Sequence, residues 1–147
     1  MKNKINNNLV LELHVPDFNK VKEFYSYLGF EIAMENIPAE QPGYLVLKRK
    51  DDLGDTFLNF YGGDKRVYNQ SFFKQFPRET TRGYATEITI PVSNINLEYE
   101  KVKNTVPTAI VRELQELVDV DIKWKDFRMV DPFGFYIRFT ELIDWGQ

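Results

Sequence analysis

The chain has 147 residues, 43% of them hydrophobic and 15% aromatic, which is enough for one globular domain with a buried core. Its formal net charge of -3 argues against binding to a nucleic-acid backbone, and the absence of cysteine excludes disulfides and thiolate chemistry. No apolar stretch is long enough to cross a membrane, and the polar residues 1–8 do not resemble a signal peptide, so we expect a cytoplasmic protein.

The first half of the chain predicts a strand, a helix and then three strands. Residues 9–15 alternate with strand periodicity, and Asp17 is placed to cap a helix that ends near Gly29. The three following strands are predicted at residues 30–34, 44–49 and 56–61, where turn residues separate them.

The second half predicts the same order again. Residues 85–92 alternate, and Ser93 or Asn94 can cap a helix that runs to about Asn104. Strands are predicted at residues 108–114, 124–130 and 135–142, and the last two are joined by a turn at residues 131–134. Residues 64–82 lack a clean period and predict an irregular linker, with a short helix around residues 71–76.

The repeated order predicts an internal duplication within a single domain of residues 1–147. We expect an α+β protein made of two βαβββ modules, at residues 8–63 and 83–142. In this alignment Val10 corresponds to Glu87, and Asn59 corresponds to Arg138.

Three segments carry a resemblance to a known family: LELHVPDFNKVKEFYSYLGFEI, GYATEITIPVSNI and WKDFRMVDPFGFYIRFTEL. In their order and spacing they resemble the vicinal oxygen chelate superfamily, the fold group of glyoxalases, bleomycin-resistance proteins and extradiol dioxygenases. The resemblance implies curved mixed sheets that form a cup, a ligand site built from two modules, and a homodimer.

Metal-dependent members of this superfamily place His or Glu at four points, which correspond here to Val10, Asn59, Glu87 and Arg138. Valine has no lone pair to donate and arginine carries a fixed positive charge, so only Glu87 is a good ligand. The sequence is therefore most similar to the metal-free, bleomycin-resistance type, and we expect neither a metal nor another cofactor.

The roles of His14, Glu87 and Arg138 leave alternatives open. His14, the only histidine, is a weak candidate for a general base or ligand beside Glu12 or Glu87, and is otherwise a hydrogen-bonded histidine near a strand end. Glu87, a second weak catalytic candidate, and Arg138 share a predicted face, where they either form an ion pair in the vacated metal site or hold a polar ligand group.

Strand periodicity and the resemblance together select a set of candidate ligand-binding residues. These are Glu12, His14, Asn59, Tyr61, Glu87, Trp124, Arg128, Tyr136 and Arg138. Phe127 is a further candidate for an apolar wall, although periodicity places it on the face opposite Trp124 and Arg128.

The leading hypothesis is a protein that binds a small organic molecule in a cup without a metal, and that is not an enzyme. The alternatives are a metal-dependent or acid/base enzyme of lactoylglutathione lyase or dioxygenase type, and a scaffold that has lost its ligand. The fold alone does not choose between them. The expected partners are the small ligand and a second copy of the chain, with no nucleic acid and no membrane.

Overall fold

The computed structural model describes residues 9–118 and 123–144. The helices and strands of the first module are β1 (Glu12–Val15), α1 (Phe18–Tyr27), β2 (Phe30–Asn36), β3 (Gly43–Arg49) and β4 (Thr56–Gly62). Those of the second are β5 (Glu87–Pro91), α2 (Ile95–Thr105), β6 (Ile110–Val118), β7 (Lys123–Val130) and β8 (Tyr136–Asp144). The predicted α+β fold of two βαβββ modules is confirmed.

Each module forms one mixed sheet of four strands. The N-terminal sheet has the order β1-β4-β3-β2 and the C-terminal sheet the order β5-β8-β7-β6. In both sheets the first strand lies parallel to the last strand, and the other neighbours are antiparallel. Glu12 is opposite Asn59 in the first module, as Thr89 is opposite Arg138 in the second, so the predicted equivalence of Asn59 and Arg138 holds.

Each helix begins at a side-chain cap. Asp17 accepts a hydrogen bond from the Lys20 amide at 3.1 Å, and Asn94, rather than Ser93, accepts one from the Leu97 amide at 3.1 Å. These caps satisfy amides that have no partner within the helix. Both helices bury one apolar face against their own sheet, so each sheet has a core face and an open face, which is the face turned away from its helix.

Two strands differ from the sequence predictions. Strand β1 begins at Glu12 and not at residue 9, because its ladder with β4 starts at the Glu12–Asn59 pair and leaves Val10 exposed beyond it. Strand β6 begins only after a 3-10 turn at Pro107–Ala109 and extends to Val118. Alternation shows which residues of a strand share a face. It does not show where the pairing with the neighbouring strand begins or ends.

The linker is more ordered than its lack of periodicity suggested. It contains two 3-10 helices, Lys65–Asn69 and Phe73–Gln75, where one short helix was expected. A glycine in close contact with the rest of the protein lies at each end of the linker. A Cβ at Gly63 would lie 2.7 Å from the Phe18 ring, and a Cβ at Gly83 would lie 2.2 Å from the carbonyl oxygen of Gly134.

The modules are joined by buried polar contacts. The Tyr25 hydroxyl of α1 donates to Asp131 Oδ2 at 2.8 Å, in the turn before β8. Asp131 Oδ1 also accepts from the amides of Phe133 and Phe135. Burial raises the pKa of the Asp131 carboxyl above its ordinary value of 3.8, although these hydrogen bonds lower it.

Arg49, at the end of β3, makes the second set of contacts between the modules. Its guanidinium donates to the Leu28 carbonyl at 3.0 Å, lies 3.2 Å from Asp51 and 2.7 Å from Glu98 of α2, and stacks on the ring of Phe139. Because Glu98 and Phe139 belong to the second module, one buried arginine connects the two modules.

Candidate functional site: a cavity and two polar sheet faces

The open face of the N-terminal sheet brings together part of the predicted set. Its members are Glu12, His14, Asn59 and Tyr61, together with Tyr44, which the sequence analysis missed. Asn59 donates to the Tyr44 hydroxyl at 2.9 Å. Burial raises the pKa of Tyr44, the Asn59 hydrogen bond lowers it, and the adjacent Glu12 carboxylate raises it further.

His14 is the best-positioned titratable residue on this face. Its Nε2 lies 3.1 Å from Glu12 Oε2, and its ring lies between Tyr61, at 4.5 Å between centroids, and Phe73 of the linker, at 4.9 Å. Nδ1 is buried and has no hydrogen-bond partner in the described part of the chain. A carboxylate on one ring nitrogen and a free second nitrogen are typical of a general base, but a molecule reaches Nδ1 only if this packing opens.

The open face of the C-terminal sheet holds the other predicted residues: Glu87, Trp124, Arg128, Tyr136 and Arg138. The predicted ion pair between Glu87 and Arg138 is wrong. Arg138 Nε lies 2.7 Å from Asp126 Oδ2, and Glu87 lies 3.4 Å from Arg128. In the sheet order β8 lies between β5 and β7, so Arg138 has neighbours on both sides, and the fully buried Asp126 of β7 is its partner.

Asp126 is the centre of this cluster, and the sequence analysis missed it. Besides Arg138, it contacts Arg128 at 3.5 Å and accepts from Gln115 at 3.1 Å. Its position two residues after Trp124 and two before Arg128 was the signal that could have placed it on this face. The Tyr136 hydroxyl accepts from Arg128, and this contact, ahead of the charges of Glu87 and Asp126, raises the pKa of Arg128.

Phe127 does not line a ligand site. Its side chain is fully buried on the core face, where it packs against Tyr99 of α2 and Phe139 of β8. The prediction that Phe127 forms an apolar wall is wrong, whereas its predicted placement on the face opposite Trp124 and Arg128 is correct.

The residues at the implied metal positions do not fit a divalent cation. Val10 lies outside β1, Asn59 is hydrogen-bonded to Tyr44, and Arg138, which has no lone pair to donate, is paired with Asp126. The one good ligand, Glu87, already faces Arg128. Among the side chains that the structure describes, those of residues 9–118 and 123–141, no three His, Asp or Glu side chains are grouped so that they could hold a metal ion.

A cavity of about 510 Å³ lies between β1 and the linker. Glu12 and His14 form its wall on the side of the sheet. The opposite wall comes from the linker, chiefly Tyr68, Phe73, Phe76, Arg78 and Arg82. None of these five linker residues was predicted, because no periodic pattern distinguishes a wall residue from any other residue of an irregular segment.

The chain matches no protein-family model and no curated protein sequence. Solved structures do match it. A glyoxalase/bleomycin resistance protein/dioxygenase from Alicyclobacillus acidocaldarius has a TM-score of 0.59 and 19% identity over 95% of this chain and 96% of that one. Bleomycin-binding protein complexed with bleomycin has a TM-score of 0.53 and 17% identity over 92% and 98%.

A glyoxalase I mutant from Zea mays also matches, with a TM-score of 0.63 and 20% identity over 88% of this chain and 44% of that one. These likenesses show the fold. The chain has the two-module fold of the glyoxalase/bleomycin resistance protein/dioxygenase proteins, which is the vicinal oxygen chelate fold predicted from its sequence. No helix among the described residues is long and apolar enough to span a bilayer.

Proposed function

We propose that the protein binds a small organic molecule, without a metal ion, in the cavity between β1 and the linker. The observation that supports the proposal is the cavity itself, whose volume of about 510 Å³ is in the range of small-molecule sites and whose lining includes the aromatic side chains of Tyr68, Phe73, Phe76 and Phe135. The bleomycin-binding neighbour, which has the same fold, was solved with a small molecule bound.

Binding is better supported than catalysis. An enzyme of this fold needs either a metal or an acid/base pair, and the residues at the metal positions do not fit an ion. The only carboxylate–imidazole pair in the cavity is Glu12 and His14, and Nδ1 of His14 is buried. A concave site that combines aromatic and apolar walls with polar groups is typical of small-molecule binding.

The neutral aromatic compound 2-naphthamide is expected to bind with one site per chain in isothermal titration calorimetry, and EDTA should leave its affinity unchanged. Phe73→Ala removes an aromatic wall and should weaken binding by about ten-fold, since losing such a contact costs on the order of 1–2 kcal/mol. Tyr84→Ala is the matched control, because Tyr84 is also an exposed aromatic residue but lies outside the cavity lining. Absence of heat with 2-naphthamide would count against the cavity as a binding site.

We also propose that the protein is a homodimer. Large apolar side chains are exposed on the sheets, among them Met34 of β2, Phe57 of β4 and Val111 of β6, and the outer strands β2 and β6 are sheet edges. Such edges and apolar faces are usually covered in the native protein, and a second copy of the chain is the simplest cover. A cytoplasmic location stays a prediction from the sequence.

Light scattering on a size-exclusion column tests the dimer directly. A mass of twice the chain mass of 17.4 kDa is expected at micromolar concentration. Phe57→Lys places a charge on the open face and should shift the population toward monomer. Wild-type protein that elutes with the mass of one chain would overturn the dimer but would leave the cavity proposal intact.

A further inference from the structure

We propose that the ligand of this cavity is an aromatic molecule that carries a carboxylate or a similar small anionic group, and that Arg78 and Arg82 of the linker bind that group. The inference rests on the proposed binding function and adds to it the chemical class of the ligand. It assigns ligand selection to residues of the linker, whereas the sequence predicted ligand-binding residues only on the strands of the sheets.

The charge of the cavity is the first argument. Its lining contains three cationic side chains, Lys74, Arg78 and Arg82, and a single carboxylate, Glu12. Glu12 is engaged by His14 at 3.1 Å, and none of the three cations has a carboxylate within ion-pair distance in the described part of the chain. Unpaired cations around a concave site raise the local concentration of anions and oppose the entry of cations.

The placement of the two guanidinium groups is the second argument. Arg78 lies over the ring of Tyr68 at 4.6 Å from the ring centroid, and Arg82 contacts the same ring at 5.2 Å. Stacking fixes a guanidinium through its face and leaves the N–H groups at its edge available, and these match the two oxygens of a carboxylate. Arg82 uses one such group, Nη1, to donate to the His14 carbonyl at 2.9 Å.

Two like charges that contact one aromatic ring repel each other, and an anion between them would offset that repulsion. The ring system of the ligand would then lie against the aromatic walls. Phe73 packs edge-on against His14, and Phe76 continues the same wall. Rings that pack edge-on or offset against other rings stabilise a complex beyond the effect of the buried area alone.

The linker is fixed well enough to present these groups. A side chain at Gly83 would collide with the backbone of Gly134, and one at Gly63 would collide with the ring of Phe18, so both ends are packed without space. Val67, in the first 3-10 helix, is buried in between. Residues 71–81, which carry Arg78, are themselves exposed, so their position depends on these packed ends and on the contacts of Arg78 and Arg82 with Tyr68.

The test compares 2-naphthoate with 2-naphthamide, which share the ring system but differ in charge. In isothermal titration calorimetry at low salt, the naphthoate is expected to bind about ten-fold or more tightly than the amide, since hydrogen bonds between charged groups are stronger than those to a neutral amide. Added sodium chloride should weaken naphthoate binding and leave amide binding unchanged.

The double variant Arg78→Gln, Arg82→Gln should bind both compounds with the affinity of the amide. Arg112→Gln is the control, because Arg112 is an exposed arginine of β6 outside the cavity lining. Should the double variant fail to fold, Arg78→Gln alone replaces it, since among the described residues the Arg78 side chain stacks on Tyr68 but makes no hydrogen bond or ion pair. The single variant should lose at least half of the preference, expressed as a free energy.

The outcomes separate the two proposals. Equal binding of both compounds to the wild-type protein, or a preference for naphthoate that persists in the arginine variants, overturns the anion site while the cavity remains a binding site. Failure of both compounds to bind overturns the proposed function, and the anion site with it. Tighter binding of naphthoate that depends on the arginines supports both.

Discussion

Replacing Arg49 by alanine is expected to lower the free energy of unfolding by about 3–5 kcal/mol, the range measured when one partner of a buried ion pair is removed. The side chains of Arg49 and Glu98 are only 4% and 10% exposed, so the substitution leaves the Glu98 carboxylate buried without its partner. It also removes the donor to the Leu28 carbonyl and the stacking on Phe139. Urea denaturation followed by tryptophan fluorescence measures the change.

Lys48→Ala is the matched control, because Lys48 is adjacent in β3 and forms an ion pair with Asp55 in which the side chains are 32% and 40% exposed. An exposed pair of this kind contributes about 0.2–1 kcal/mol. The double variant Arg49→Met, Glu98→Gln should cost less than Arg49→Ala, since it also removes the charge of Glu98, while Asp51 keeps its hydrogen bonds from Leu53 and Ser93. If Arg49→Ala is no more destabilising than Lys48→Ala, this arginine does not connect the modules.

Local rules were sufficient to predict the order of elements. A strand exposes alternate residues, a helix needs a cap, and Asp131-Pro132-Phe133-Gly134 has the composition of a turn, so each element leaves a signal within a few residues. The turn forms as expected, with the Gly134 amide donating to the Asp131 carbonyl at 3.2 Å. Because both modules repeat these signals, the duplicated fold could be predicted without any contact between distant residues.

Contacts across the sheet could not be predicted in the same way. Periodicity correctly placed Glu87 and Arg138 on one face, but a residue of a central strand has neighbours on two sides, and the sequence does not rank them. Arg138 pairs diagonally with Asp126 across the β7–β8 ladder, in which its direct partner is Arg128. The carboxylate that lies nearest to Arg138 is determined by the strand register and by the side-chain rotamers. Neither can be read from the local sequence.

The cavity residues of the linker are the largest group that could not be predicted from the sequence. Tyr68, Arg78 and Arg82 are separated by ten and four positions in a segment without periodicity, and they meet because the chain turns back over β1. Its two 3-10 helices are too short to show a hydrophobic period. Resemblance to a fold also gives little information here, because loops between modules vary most among proteins that share a fold.

Replacing Arg138 by alanine is expected to lower the free energy of unfolding by about 3 kcal/mol, the lower end of the range for a broken buried pair. Asp126 is fully buried, so its charge cannot be relieved by water once its strongest partner, at 2.7 Å, has been removed. The effect is smaller than for Arg49 because Asp126 keeps the Gln115 hydrogen bond and the more distant Arg128. Urea denaturation again provides the measurement.

The partner assignment can be tested by comparing two double variants. Asp126→Asn with Arg138→Met removes both charges and keeps an acceptor for Gln115, so it should cost less than Arg138→Ala alone. Glu87→Gln with Arg138→Met should cost as much as Arg138→Ala or more, since it leaves Asp126 charged and also removes the partner of Arg128. The reverse order would mean that Glu87 is the partner of Arg138. The charge of Glu87 would then be offset by Arg138 and not by Arg128, and the open face of the C-terminal sheet would have a different arrangement of ion pairs.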